Sequence, residues 1–147
     1  MLKPLEQWYC DKCGEIIENY QNGYVIWKQD ENYKDYDFKI IHKSKCDDKN
    51  FRSSASLSDF LGKRGLVNLT SMLSIGTIKI NLGQKGGKVR DLDEFIDFFR
   101  RVQLPFYEEA RQKFNKHEIL DMMSDANEIF PYLEEQLKDI IKEEISE

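Results

Sequence analysis

The spacing of three cysteines and one histidine constrains this chain more than any other feature. Cys10 and Cys13 are separated by two residues, and His42 and Cys46 follow later, separated by three. Two ligand pairs with gaps of this size are typical of zinc sites, because a tight turn aims both members of a pair at one point. Gly14 suits such a turn, since glycine adopts backbone conformations that other residues avoid. The sequence therefore predicts a tetrahedral Cys3His zinc site.

The same residues argue against other roles for the three cysteines. All three cysteines belong to the predicted group of metal ligands. A disulfide would use two of them and leave the third as a free thiol, and disulfides are rare in a reducing compartment. A thioredoxin-like redox motif needs a βαβ context, but this Cys-x2-Cys precedes a strand–turn–strand pattern. Four protein ligands leave no open position for substrate, so we expect a structural zinc. Asp47 and Asp48 remain alternatives to His42 as the fourth ligand.

The residues around both pairs resemble the zinc-ribbon and zinc-knuckle families. The resemblance rests on Trp8-Tyr9-Cys10-Asp11-Lys12-Cys13-Gly14 and on His42-x3-Cys46. It covers residues 5–50 and implies a metal with a structural role, on a domain that presents a surface to nucleic acid or protein. The second pair departs from the ribbon pattern, because it is His-x3-Cys where a ribbon has Cys-x2-Cys.

Short strands are predicted in residues 1–50, which form a candidate zinc-stabilised β subdomain. Segments 14–17, 24–27 and 38–42 are rich in β-branched and aromatic residues. The dipeptide Asn22-Gly23 between the first two is typical of a hairpin turn, because both residues tolerate positive φ. A β segment of this size with little core of its own needs its metal to fold.

Residues 51–90 are predicted to contain two short helices and a basic β-hairpin. Residues 56–59 match a capping box that opens a helix, and 66–74 carry apolar residues at helical spacing. Gly62 and Gly65 are predicted to bracket the turn between these helices. Alternation over residues 77–82, followed by a glycine-rich tip, predicts a hairpin near 77–90.

The last third of the chain completes a mainly helical part, 51–147, which we expect to pack as one unit with 1–50. Asp91 begins a D-x-x-E capping pattern for a helix. Its predicted apolar face is Leu92, Phe95, Phe98, Phe99 and Val102. A final helix is predicted with Pro131 in its first turn, and its apolar stripe can pack internally or pair with a second copy in a homodimer. The predicted fold class is therefore α+β.

Charge is unevenly distributed along the chain, although the net charge is only −5. Residues 51–90 carry seven basic and one acidic side chain, whereas 91–147 carry seven basic and sixteen acidic ones. A basic segment of this kind is typical of a nucleic-acid surface, here in a winged-helix-like arrangement. The candidate contact residues are Lys63, Arg64, Lys79, Lys85, Lys88 and Arg90. The alternative is that the basic and acidic parts face each other within the protein or across a dimer.

The remaining patterns favour a binding protein over an enzyme. The chain contains no Gly-x-Ser-x-Gly, His-Glu-x-x-His or dinucleotide fingerprint, and residues 83–88 do not match a phosphate-binding loop. Glu108 and Arg111 are predicted to pair on a helix surface. No apolar run approaches the roughly 20 residues of a membrane helix. We therefore expect a soluble, cytoplasmic, non-enzymatic zinc protein that binds a protein partner, with a nucleic-acid-binding transcriptional regulator as the alternative.

Overall fold

The computed structural model of the chain describes residues 1–86 and 88–146, and these form a mixed α+β fold, as predicted. Five strands occur among them: β1 (Trp8–Tyr9), β2 (Ile16–Ile17), β3 (Gly23–Gln29), β4 (Asp35–His42) and β5 (Ser53–Ser56). Six α-helices occur in the same residues: α1 (Gly62–Leu73), α2 (Gly76–Asn81), α3 (Leu92–Gln103), α4 (Tyr107–Arg111), α5 (His117–Met122) and α6 (Glu134–Lys142). Short 3-10 helices cover Tyr20–Asn22, Leu57–Phe60 and Phe130–Tyr132.

The central sheet has the antiparallel order β4-β3-β5, and β1 pairs with β2 in a separate two-stranded ribbon. The predicted hairpin at Asn22-Gly23 is wrong, because the hairpin of this region joins β3 to β4 instead. Gly23 is extended, with φ −114°. A Cβ at Gly23 would lie 2.6 Å from Leu57 Cδ2, so close packing and not a positive φ explains this glycine.

The first hydrophobic core lies between the sheet and α3 and uses residues from both sides of position 50. It contains an aromatic cluster in which Phe38 stacks on Phe98 with ring centroids 5.2 Å apart. On α3, Phe95, Phe98 and Val102 are buried as predicted, whereas Leu92 is exposed. The Asp91 side chain caps this helix by accepting a hydrogen bond from the backbone N–H of Glu94, which confirms the predicted cap.

A second, smaller core joins α4, α5 and α6. Tyr107, Ala110, Ile119, Leu137 and Ile140 are buried in it. The apolar stripe of α6 therefore packs internally. Pro131 was predicted in the first turn of this helix, but it lies in the preceding 3-10 helix Phe130–Tyr132, and α6 begins at Glu134.

The strand predicted over residues 77–82 is not formed, and position 87 of the predicted hairpin tip lies outside the described residues. Residues 76–81 form helix α2, in which the backbone N–H of Leu82 donates to the carbonyl of Ile78. Alternating apolar residues form a strand only where a neighbouring strand covers them. Within the described residues, the one β contact of this region is a parallel bridge between Val89 and Asp35.

Two further predictions in residues 51–74 need correction. The capping box at 56–59 opens only the 3-10 helix Leu57–Phe60, and the Ser56 side chain makes no cap hydrogen bond. Gly62 and Gly65 do not bracket a turn but lie in the first turns of α1. A Cβ at Gly65 would lie 2.0 Å from the backbone carbon of Phe60, so this glycine allows α1 to pack against the chain before it.

Candidate metal centre

The four predicted ligands Cys10, Cys13, His42 and Cys46 meet at one point of the structure. Their ligand atoms all lie within 4.8 Å of one another. His42 Nδ1 is 3.4 Å from Cys13 Sγ and 3.8 Å from Cys46 Sγ. A tetrahedron with Zn–S bonds of about 2.3 Å and Zn–N bonds of about 2.0 Å has S···N edges of about 3.5 Å. The cluster therefore has the donor set and the dimensions of a tetrahedral metal site.

The first cysteine pair is positioned by a tight turn after β1. The backbone N–H of Gly14 donates to the carbonyl of Cys10 over 2.9 Å, and Gly14 has φ +78°. This is the conformation that the sequence predicts for the glycine after the second cysteine. Cys10 Sγ also accepts hydrogen bonds from the backbone N–H groups of Lys12 and His42, each at 3.4 Å. The turn thus aims both sulfurs at the same point and stabilises negative charge on Cys10.

The sulfurs influence one another's ionisation. Burial opposes the thiolate of Cys10, but the backbone N–H groups of Cys13 and His42 outweigh it and lower the pKa of Cys10 to about 6. Burial raises the pKa of Cys46 to about 11, with further contributions from the adjacent sulfurs of Cys10 and Cys13. A bound cation would relieve this crowding of negative charge, because a coordinating thiol is deprotonated by the metal.

His42 is oriented by a hydrogen bond on the side of its ring that faces away from the sulfurs. Its Nε2 lies 3.1 Å from the carbonyl oxygen of Ile16, and Nδ1 faces the sulfurs. A carbonyl partner fixes the tautomer with the proton on Nε2, which leaves the Nδ1 lone pair for a metal. His42 is the last residue of β4, and the N–H of Cys46 donates back to its carbonyl. The end of β4 and the turn that follows it therefore position the second ligand pair, His42 and Cys46.

The two carboxylates that were alternatives to His42 are engaged elsewhere. Asp47 Oδ1 accepts a hydrogen bond from the backbone N–H of Ser44 at 3.1 Å. Asp48 forms a 2.5 Å ion pair with Lys12 Nζ and accepts a hydrogen bond from the Asn50 N–H. His42 therefore lies beside the three sulfurs, whereas Asp47 and Asp48 form hydrogen bonds and an ion pair within the surrounding loops.

A buried ion-pair network anchors the metal loop to the helices, and sequence reasoning missed it. Arg101 of α3 is 2% exposed. Its Nε donates to Glu108 Oε1 at 2.7 Å, and its Nη1 donates to Asp11 Oδ2 at 2.7 Å. Burial opposes the charge on Arg101, but the two carboxylates raise its pKa above the usual value. Asp11 lies between the two cysteines of the first pair, so the network connects the candidate metal centre to α3 and α4.

The same network fixes several backbone groups around the site. Asp11 Oδ2 also accepts a hydrogen bond from the Ile40 N–H, and Glu108 Oε2 accepts one from the Tyr9 N–H. The predicted pairing of Glu108 with Arg111 is wrong, because Glu108 turns inward to Arg101. Arg111 instead pairs with Asp97 at 2.8 Å. The spacing in the sequence predicted a partner for Arg111 on its own helix, α4. The folded structure instead places Asp97 of α3 beside it.

The structure does not place Lys79, Lys85, Lys88 and Arg90 on the hairpin predicted for them, and the other two basic residues predicted to contact nucleic acid lie on a helix. Lys63 and Arg64 are in the first turn of α1, and Lys79 is in α2. The other three follow α2, and the Arg90 guanidinium stacks 3.4 Å from the ring centre of Tyr36. All six are exposed, and none forms an ion pair with a carboxylate of residues 1–86 and 88–146.

Comparison of the chain with protein-family models, with curated proteins and with solved structures finds no match. Among the residues that the structure describes, no helix has the length and apolar character needed to cross a membrane.

Proposed function

We propose that the protein is a non-enzymatic interaction or regulatory module whose fold depends on a structural zinc ion held by Cys10, Cys13, His42 and Cys46. The observation that carries the proposal is the convergence of four protein donors on one point. Three thiolates and one imidazole suit zinc, and they fill a tetrahedral shell without leaving a position for substrate. Zinc in such a shell links the parts of the chain that supply its ligands and has no open position for catalysis.

The position of the site in the fold supports a structural role. Strands β1 and β2 have two residues each, and an isolated ribbon of that size is not stable in water. The metal would tie this ribbon to the end of β4 and to the loop that follows it. Cys10 and Cys46 are themselves buried in the first hydrophobic core. Loss of the metal would therefore disturb the core and the surface built on it.

Helix α2 supports the interaction part of the proposal. None of its six residues is buried. Ile78 is 78% exposed, Ile80 is 54% exposed, and Leu82 at its end is 67% exposed. Ile78 and Leu82 lie one turn apart on the same side of the helix, and neighbouring exposed aliphatic side chains are typical of a surface that a partner covers. Because Lys79 lies among them and segment 51–90 is basic, the expected partner is a protein surface with both apolar and acidic side chains.

Nucleic-acid binding is the second candidate function. Its support is the set of six exposed basic side chains without carboxylate partners in the described chain, since such charges are available for phosphates. A winged-helix mode of binding is not supported, because helix α2 covers residues where the first strand of the hairpin was predicted.

Removing the metal tests the proposed function. Complete chelation, verified by elemental analysis, is expected to lower the melting temperature and to expose the amides of β1, β2 and the Cys46 loop to hydrogen exchange. The reason is that a metal that binds only the folded state adds its binding free energy to the stability of that state. Zn²⁺ should restore the protection, and Mg²⁺ serves as the matched control. Unchanged melting of verified metal-free protein would exclude the structural role.

A further inference from the structure

An open cleft lies at the end of the hairpin where β3 and β4 are joined. It has a volume of about 520 Å³, within the usual range for small-molecule sites. Its walls include Trp27 and Gln29 of β3, Tyr33 of the hairpin loop and Asp35 of β4. The lining of the cleft therefore combines aromatic, acidic and basic groups.

The aromatic wall is held in a strained conformation. Tyr33 has φ +62°, and its side chain is 77% exposed. The loop holds it there because Asp30 Oδ1 accepts hydrogen bonds from the N–H groups of both Asn32 and Lys34. A non-glycine residue in the left-handed region is uncommon, and such strained positions cluster at ligand sites. The fold thus holds an exposed aromatic residue in the lining of the cleft.

A buried carboxylate is part of the lining. Asp35 is 7% exposed, and its Oδ1 accepts a hydrogen bond from Gln29 Nε2 at 3.2 Å. Burial raises the pKa of Asp35, although Gln29, Lys88 and Trp27 each favour its charged form. A carboxylate in this position gains from any ligand that brings further N–H donors, because a carboxylate accepts up to about four hydrogen bonds.

Two lysines from the segment after α2 also line the cleft. Lys85 and Lys88 are both exposed. The backbone at Lys88 is held beside the hairpin, because the Asp35 N–H donates to the Lys88 carbonyl and the Arg90 N–H donates to the Asp35 carbonyl. Neither lysine has a carboxylate partner within 4.0 Å in the described residues. Free ammonium groups in a cleft are suited to a phosphate.

We propose that this cleft binds a guanine nucleotide, either free or as one unit of a single strand. The base would stack on Tyr33, its Watson–Crick edge would meet Asp35, and its phosphate would lie between Lys85 and Lys88. Stacking on exposed aromatic rings with lysines on the phosphate is the usual means of binding an unpaired nucleotide. Guanine presents two adjacent N–H donors to a carboxylate, whereas adenine presents one donor beside an acceptor. The proposal goes beyond the interaction module and does not depend on it.

Calorimetric titration of the full, zinc-loaded chain tests this proposal, with GMP, AMP, guanosine and ribose 5-phosphate as probes. GMP is expected to bind saturably and about 10-fold more tightly than AMP, because only guanine can make a bidentate contact with a carboxylate through its Watson–Crick edge. Asp35→Asn should remove the preference for GMP. Lys85→Ala with Lys88→Ala should weaken GMP about 10-fold and leave guanosine unchanged. Lys49→Ala with Lys116→Ala changes two exposed lysines that lie outside the cleft and outside the six candidate nucleic-acid contacts. This variant is the matched control and should bind GMP normally.

A guanine-containing single-stranded heptanucleotide and a short duplex complete the experiment. Tighter binding of the single strand than of GMP would support a strand as the source of the nucleotide, and equal or weaker binding would support a free nucleotide. Absence of saturable GMP binding at millimolar concentration would overturn the proposal. So would equal GMP affinity in the Lys85 and Lys88 variant. Binding of the duplex alone would also overturn it, while leaving general nucleic-acid binding as a function of the exposed basic residues.

Discussion

Cys10→Ser is expected to abolish zinc binding and the cooperative unfolding transition together. Cys10 is buried, accepts two backbone N–H groups and belongs to the first hydrophobic core. Apparent binding free energies of structural zinc are about 10–16 kcal/mol in zinc-finger peptides, which matches the whole stability of a typical domain. Loss of the metal therefore removes a contribution as large as the stability itself. Elemental analysis and near-ultraviolet circular dichroism, which reports on buried aromatic residues, provide the measurement.

Asp48→Asn is the matched control for this variant. Asp48 lies beside the site in the sequence and pairs with Lys12, but it is not among the four converging side chains. It should retain the full zinc content and melt close to the wild type. A Cys10→Ser protein that still carried one zinc ion and melted normally would contradict the proposed ligand set.

Arg101→Met is expected to destabilise the protein by about 3–5 kcal/mol, the usual cost of removing one partner from a buried ion pair. The variant leaves Glu108 and Asp11 without the guanidinium that neutralises both. Because Asp11 lies between two candidate ligands, zinc affinity should fall as well. Urea unfolding gives the change in stability, and competition with a chromogenic chelator gives the change in affinity.

Two further variants separate this effect from a general loss of charge. Lys45→Met removes a partner from the exposed pair with Glu15 and should leave the unfolding midpoint unchanged. Arg101→Met combined with Glu108→Leu should recover part of the lost stability, because one unpaired carboxylate is removed from the interior. A loss below about 1 kcal/mol for Arg101→Met alone would show that the network does not anchor the metal loop.

The sequence predicted best those features that depend on local spacing. The cysteine and histidine gaps identified the four converging side chains, because reach within a tight turn depends only on nearby residues. The start of α3 was predicted equally well, since the Asp91 cap and the apolar face with Phe95 and Phe98 are recognised from residues within three helical turns. Both predictions used information that the chain carries within a short window.

Features that depend on distant partners escaped prediction. The alternation of Ile78, Ile80 and Leu82 indicates a strand, but no adjacent strand in the described chain pairs with it, so the local hydrogen bonds of α2 prevail. The Arg101 network joins residues about ninety positions apart, and no spacing rule relates them. Sequence reasoning also could not bring Tyr33 and Asp35 next to Lys85 and Lys88, because that depends on the bridge between Asp35 and Val89.

X-ray absorption at the zinc edge of freshly purified protein identifies the metal and its ligand atoms in one measurement. We expect one zinc ion per chain, bound by three sulfur atoms at about 2.3 Å and one imidazole nitrogen at about 2.0 Å. His42→Ala should lose the imidazole signal and most of its metal. A protein purified without metal, or a spectrum with an oxygen ligand in place of the imidazole, would contradict a closed structural site built from Cys10, Cys13, His42 and Cys46.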